Sequence, residues 1–95
     1  MDKVYRSEAA QIVIQRLQQY VDRKIVTINQ VIELLGVSRP TWYTWKSGLT
    51  APPSDKLTIL KSILAILVEN EGQLTKVKAS GFEIQDGQVR LKNAS

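Results

Sequence analysis

Residues 36–48, Gly-Val-Ser-Arg-Pro-Thr-Trp-Tyr-Thr-Trp-Lys-Ser-Gly, constrain the fold more than any other stretch, because they bound a short helix on both sides. Gly36 supplies the left-handed backbone position that ends a preceding helix. Ser38 is an N-cap, and Pro40 falls in the first turn, where its missing N–H costs nothing. The helix from Arg39 to Ser47 then stops at Gly48. Trp42 and Trp45 are three residues apart and share its inward face. Arg39, Thr41, Tyr43, Thr44 and Lys46 are left facing outward.

A tight turn followed by such a helix is the second half of a helix-turn-helix, which places side chains in the DNA major groove. Two inward aromatic anchors with an outward row of hydrogen-bonding and cationic side chains suit that task.

The rest of the composition narrows the chemistry. The chain has 95 residues, enough for one domain with a modest core. It has no cysteine and no histidine, which removes thiolate nucleophiles, imidazole bases and nearly all transition-metal ligands. Absence of cysteine fits a reducing cytosol. The start, Met-Asp-Lys-Val-Tyr-Arg, lacks the apolar run of a signal peptide, and the apolar stretch Ile63–Val68 is far too short to span a bilayer. A soluble cytoplasmic protein of a bacterial or phage-infected cell, associated with the nucleoid and not with a membrane, is expected. The nine carboxylates are scattered, Glu69 and Glu71 read as a solvated helix end, and no G-x-x-x-x-G-K loop is present. No enzyme, cofactor, metal or small-molecule ligand is expected.

Charge sharpens the reading when it is located. The net charge is +4, from 13 Lys and Arg against 9 Asp and Glu. Residues 23–61 hold six cations (Arg23, Lys24, Arg39, Lys46, Lys56, Lys61) and two anions (Glu33, Asp55), and the remainder cancels. The excess therefore lies on the suspected motif and its flanks, where a phosphate-binding surface needs it.

Periodicity predicts the other elements. Residues 7–23 form a first helix with Ser7 as N-cap, its apolar residues Ala10, Val13, Ile14, Leu17, Tyr20 and Val21 recurring every three or four positions. Thr27 caps a second helix through Leu35, with Gln30 placed to close a capping box. Pro52 and Pro53 make residues 49–53 a loop. Ser54 caps a fourth helix that reaches about Glu71 and stops before Gly72. That helix carries two apolar stripes, Leu57, Leu60, Leu64, Leu67 and Val68 beside Ile59, Ile63 and Ile66. Together they span about 200° of its circumference, about twice what one core-facing side needs. Either the C-terminal segment or a second subunit must cover the excess.

Residues 82–91 read as a β-hairpin turning on Asp86-Gly87 in a type I′ geometry. In that register Gln85 faces Gln88, Ile84 faces Val89, and Phe82 faces Leu91, giving one apolar face. Glu83 faces Arg90 on the other side as a cross-strand ion pair. Residues 73–80 are open to a third strand. The expected architecture is mainly α: a four-helix domain over residues 1–71, with a short C-terminal hairpin and tail over residues 72–95 as a possible dimerisation element.

Residues from about Thr27 to Leu67 resemble the Cro and repressor type (lambda-repressor/Cro-like) of helix-turn-helix domain found in phage and bacterial regulators. The shared pattern is Thr27, Leu35-Gly36-Val37-Ser38-Arg39, Thr41, Trp45, Gly48, Pro52, Leu57, Leu60 and Leu64. Ile32 and Trp42 depart from it, standing where the family has a small residue and a medium aliphatic. The resemblance implies a dimeric DNA-binding protein that controls transcription at a palindromic operator. It implies base contacts from Arg39, Thr41 and Thr44, with Tyr43 at the groove. It implies phosphate contacts from Asn29, Ser38 and Ser47, and charge adds Lys46, Arg23, Lys24 and Lys56 as further phosphate partners. The candidate dimer surface combines Ile59, Ile63 and Ile66 with Phe82, Ile84, Val89 and Leu91.

The expected partners are double-stranded DNA and a second copy of the chain, and a repressor is the favoured regulator. A phage-type activator or an excision and recombination directionality factor would use similar helices. An antitoxin-like protein-interaction module would keep the fold and use the isoleucine stripe instead.

Overall fold

Two of the helices start on a side-chain cap and stop at a left-handed glycine. The computed structural model describes the backbone of residues 2–92 and the side chains of residues 8–92. The elements are α1 (Asp2–Asp22), α2 (Ile28–Leu35), α3 (Arg39–Ser47), α4 (Ser54–Glu69), a 3-10 turn (Glu71–Gln73), α5 (Leu74–Ser80), β1 (Phe82–Gln85) and β2 (Gln88–Leu91). The protein is mainly helical, with one small antiparallel sheet.

α2 starts as its sequence dictates. The Thr27 hydroxyl accepts from the Gln30 N–H at 3.1 Å, and the Gln30 side-chain oxygen accepts from the Thr27 N–H at 2.8 Å. Two donors at the helix start are thereby satisfied reciprocally. At the other end Gly36 adopts φ +70°, and its N–H donates to Ile32 at 2.8 Å. A Cβ is strained in that left-handed region, so glycine is the residue that lets the chain reverse within three residues.

α1 begins at Asp2, so the cap expected at Ser7 is not the start of the helix. The Ser54 cap is likewise displaced. Pro53 takes the N-cap position, its carbonyl already accepts from the Leu57 N–H at 2.9 Å, and no side chain caps that end. α4 also ends earlier than Glu71. The Asn70 side-chain amide donates back to the Ile66 carbonyl at 2.8 Å, and the chain tightens into the 3-10 turn.

Residues 74–80 form a helix, not a strand, which raises the expected four helices to five. Leu74 and Val77 are the buried residues of α5. Three positions apart, they share a face in a helix but would point to opposite faces in a strand. Burying both on one core therefore selects the helix.

The hairpin register is Phe82↔Leu91, Glu83↔Arg90, Ile84↔Val89 and Gln85↔Gln88, as the alternation requires. Asp86 and Gly87 at the turn have φ +55° and +76°, the two positive values of a type I′ turn. The cross-strand ion pair does not form. Arg90 donates to the Gln85 side-chain oxygen instead, a swap open to a long, exposed guanidinium.

The core is continuous. It runs from Val13, Ile14 and Leu17 of α1 through Trp42 and Trp45 of α3 and Leu60, Ile63 and Leu67 of α4 to Val77, Phe82 and Val89. β2 packs on α4 and β1 on α2. The C-terminal segment thus covers part of the apolar surface of α4, and residues 72–91 share the core of the preceding helices. Val68 is left 52% exposed. No helix among the described residues is long and apolar enough to cross a membrane.

Candidate functional site

α3 is seated from beneath and exposed above. Trp42 is fully buried and Trp45 nearly so. α1 holds the far end of α3, where the Gln11 side-chain amide donates to the Trp45 carbonyl at 2.5 Å. Ser38 caps the near end, accepting from the Thr41 N–H at 3.4 Å, with the two hydroxyls 3.0 Å apart.

The outward residues differ in how free they are. Arg39 is exposed and donates to the side-chain oxygen of Asn29, so the first residue of α3 is tied to the first turn of α2. Tyr43 is exposed, with the Lys46 ammonium 5.8 Å from its ring centroid, within cation–π range. Thr44 is half-buried, and its hydroxyl donates to the Thr41 carbonyl at 2.8 Å and accepts from Thr50 at 3.3 Å. Its methyl group is what remains for contact. Thr41 is also half-buried. Ser47 donates to the Thr44 carbonyl at 3.1 Å and is exposed.

Lys56, Arg23 and Lys24, expected as phosphate partners, have three different surroundings. The Lys56 ammonium donates to the Leu35 carbonyl at 2.7 Å, at the negative end of the α2 dipole. It is half-buried and braces the turn between α2 and α3. Arg23 lies beyond the end of α1, about 18 Å along the helix from the Gln11 contact, from its rise per residue. There it pairs with Glu71 at 3.2 Å and stacks 5.3 Å from the Tyr20 ring centroid. This is the one ion pair among the described residues, and both of its side chains are about half exposed. Lys24 sits in the left-handed region, φ +64°, where it ends α1.

Tyr20 completes that second cluster. Its hydroxyl donates to Glu71 at 2.5 Å, which together with burial and the carboxylate charge raises the tyrosine pKa above its usual value. The same hydrogen bond, helped by Arg23, lowers the Glu71 pKa below the ordinary carboxylate value. The cluster locks α1 to the turn after α4 and is remote from α3.

Of the candidate dimer residues, Ile63, Phe82 and Val89 are buried within one chain, which corrects their assignment: a second copy cannot reach them without opening the core. Ile59, Ile66 and Leu91 are half-buried, and Ile84 is exposed.

Gln11 and Leu49 carry no local sequence signal for this surface, and Pro40 is marked by sequence only as a helix start. At 100° per residue Pro40 also lies at the centre of the exposed face, with Tyr43, Thr44 and Ser47 around it. Gln11 has no local signal, because its partner is 34 residues away. No family model, no curated protein and no solved structure matches this chain.

Proposed function

We propose that this chain is a sequence-specific DNA-binding transcriptional regulator of the phage repressor kind, in which α2, the Gly36–Ser38 turn and α3 act as a helix-turn-helix. The observation that supports the reading is the build of α3. Both tryptophans are spent on the core, and both helix boundaries are capped. Arg39, Pro40, Tyr43, Lys46 and Ser47 remain exposed on one short helix.

In this reading α3 enters the major groove with its N-terminal end leading. Arg39 reaches guanine O6 and N7 bidentately, and the threonine methyls meet thymine methyls or sugar. Lys46, with the hydroxyls of Ser38 and Ser47, neutralises or bonds phosphate on the groove walls. A twofold dimer sets two α3 helices about 34 Å apart, one helical turn of DNA. Repression then needs only occlusion of the polymerase.

The test is selection of bound duplexes from a random pool at near-physiological salt. The expected result is one inverted repeat with half-sites about ten base pairs apart. Clustered direct repeats would instead favour an excision factor, and no enrichment by folded protein would end the DNA-binding reading.

A further inference from the structure

The end of α3 departs from the usual packing of its own motif. Gly48 donates to the Trp45 carbonyl at 3.2 Å, and Leu49 donates to the Thr44 carbonyl at 3.0 Å. These are the paired 5→2 and 6→1 hydrogen bonds of a Schellman C-cap, in which the residue at the Leu49 position ordinarily folds its apolar side chain against the residue at the Thr44 or Tyr43 position. Here Leu49 is 79% exposed and Tyr43 47%, so neither covers the other.

The backbone around Leu49 is nevertheless fixed. Thr50 holds Thr44 through a hydroxyl contact of 3.3 Å and a backbone bond of 3.4 Å, and Pro52 is buried two residues on. A single exposed leucine on a free loop would need no explanation. This one is held by a hydrogen-bonded turn at the C-terminal end of α3, with its side chain exposed.

We propose, resting on the DNA-binding reading above, that Leu49 is an apolar anchor that packs on deoxyribose at the wall of the major groove. The N-terminal residues of a recognition helix face the bases. Leu49 follows the C-terminal end of α3, which lies about 12 Å from Arg39 at the helical rise, on the side of the groove wall when the N-terminal end leads. The apolar surface available there is the sugar face between phosphates. The contact buries hydrocarbon on both partners and displaces no counterion, so it strengthens binding without adding to the salt dependence. Being sequence-independent, it fixes the seating of α3 and leaves base choice to Arg39.

The experiment compares wild type, Leu49→Ala and Leu49→Met on the selected duplex, on a scrambled duplex, and on the selected duplex with thymine replaced by deoxyuridine. Salt is varied throughout. Leu49→Ala is expected to weaken binding about five- to tenfold on all three, with an unchanged slope of log K against log salt. Leu49→Met is expected to restore most of it, and thermal melting of both variants to match wild type.

Undiminished binding by Leu49→Ala overturns the proposal. So does a loss that disappears on the deoxyuridine duplex, which would make Leu49 a reader of the thymine methyl. A fall in sedimentation mass of Leu49→Ala would assign the leucine to an interface between copies and overturn it equally. Failure of wild type to prefer any duplex is a separate result, and removes the DNA-binding reading itself.

Discussion

The Arg39 guanidinium donates to the side-chain oxygen of Asn29, joining the first residue of α3 to the first turn of α2 across the Gly36–Ser38 turn. A guanidinium held on one side presents its remaining donors in a limited set of directions, which lowers the entropic cost of a bidentate contact. Arg39→Ala is therefore expected to lower specific affinity by about 1–3 kcal/mol and relax one base position. Asn29→Ala is expected to cost less alone and to add little to Arg39→Ala. Binding curves for the two single variants and the double variant measure this, and fully additive losses would separate the two roles.

The lysines at positions 46 and 56 are expected to fail in different ways. Lys46 is exposed over the Tyr43 ring, so Lys46→Ala is expected to reduce the salt slope of DNA binding by about one without lowering stability. Lys56 is bonded to the end of α2, so Lys56→Ala is expected to cost about 1 kcal/mol in urea unfolding and leave the slope of the folded protein unchanged. Slopes lowered equally in the two variants would show that both touch phosphate, and slopes equal to wild type that neither does.

Acid is expected to loosen the junction of α1 with the turn after α4. Hydrogen bonding from Tyr20, with Arg23 beside it, holds Glu71 below its ordinary pKa of 4.5. A depressed folded-state pKa contributes stability above the unfolded value, and that contribution is lost as pH falls through the folded one. Tm measured on descending pH is thus expected to drop below about pH 4.5 in wild type, and the drop to be smaller in Glu71→Gln. At the alkaline end the raised Tyr20 pKa works the other way, with stability lost as the phenol ionises above its usual 10.0. Identical acid profiles for wild type and Glu71→Gln would place the titrating group elsewhere.

The indole N–H of Trp42 is buried with no hydrogen-bond partner among the described residues. Leaving such a donor unpaired costs about 1–3 kcal/mol. Trp42→Phe removes the donor together with some volume, and the two effects oppose each other. It is expected to cost less than about 1.5 kcal/mol, while Trp42→Ala costs about 3–5 kcal/mol. Chemical denaturation of both variants checks the gap, and a Phe variant as damaged as the Ala variant would mean that shape alone governs the site.

The parts of this protein that were legible in its sequence are those made by residues close together in the chain. The Thr27–Gln30 capping box, the reversal at Gly36, the Ser38 cap, the stop at Gly48 and the Asp86-Gly87 turn each involve partners within a few residues. The hairpin register followed because a slip by one residue would turn Phe82 and Val89 away from the core. The inward placement of Trp42 and Trp45 followed from their spacing.

Tertiary structure decided the rest, because the energies concerned come from partners distant in sequence. Lys56 meets Leu35, Gln11 meets Trp45, and Tyr20 and Arg23 meet Glu71, over separations of 21 to 51 residues that no local pattern records. Those contacts divide the basic residues into Arg39 and Lys46, exposed on α3, and Lys56 and Arg23, held elsewhere. α5 is helical because Leu74 and Val77 must reach one core together, and the excess apolar surface of α4 is partly covered because β2 folds back on it. Local hydrogen bonding set where the helices begin and end; burial, which depends on the whole chain arriving in one place, chose which side chains were left to act.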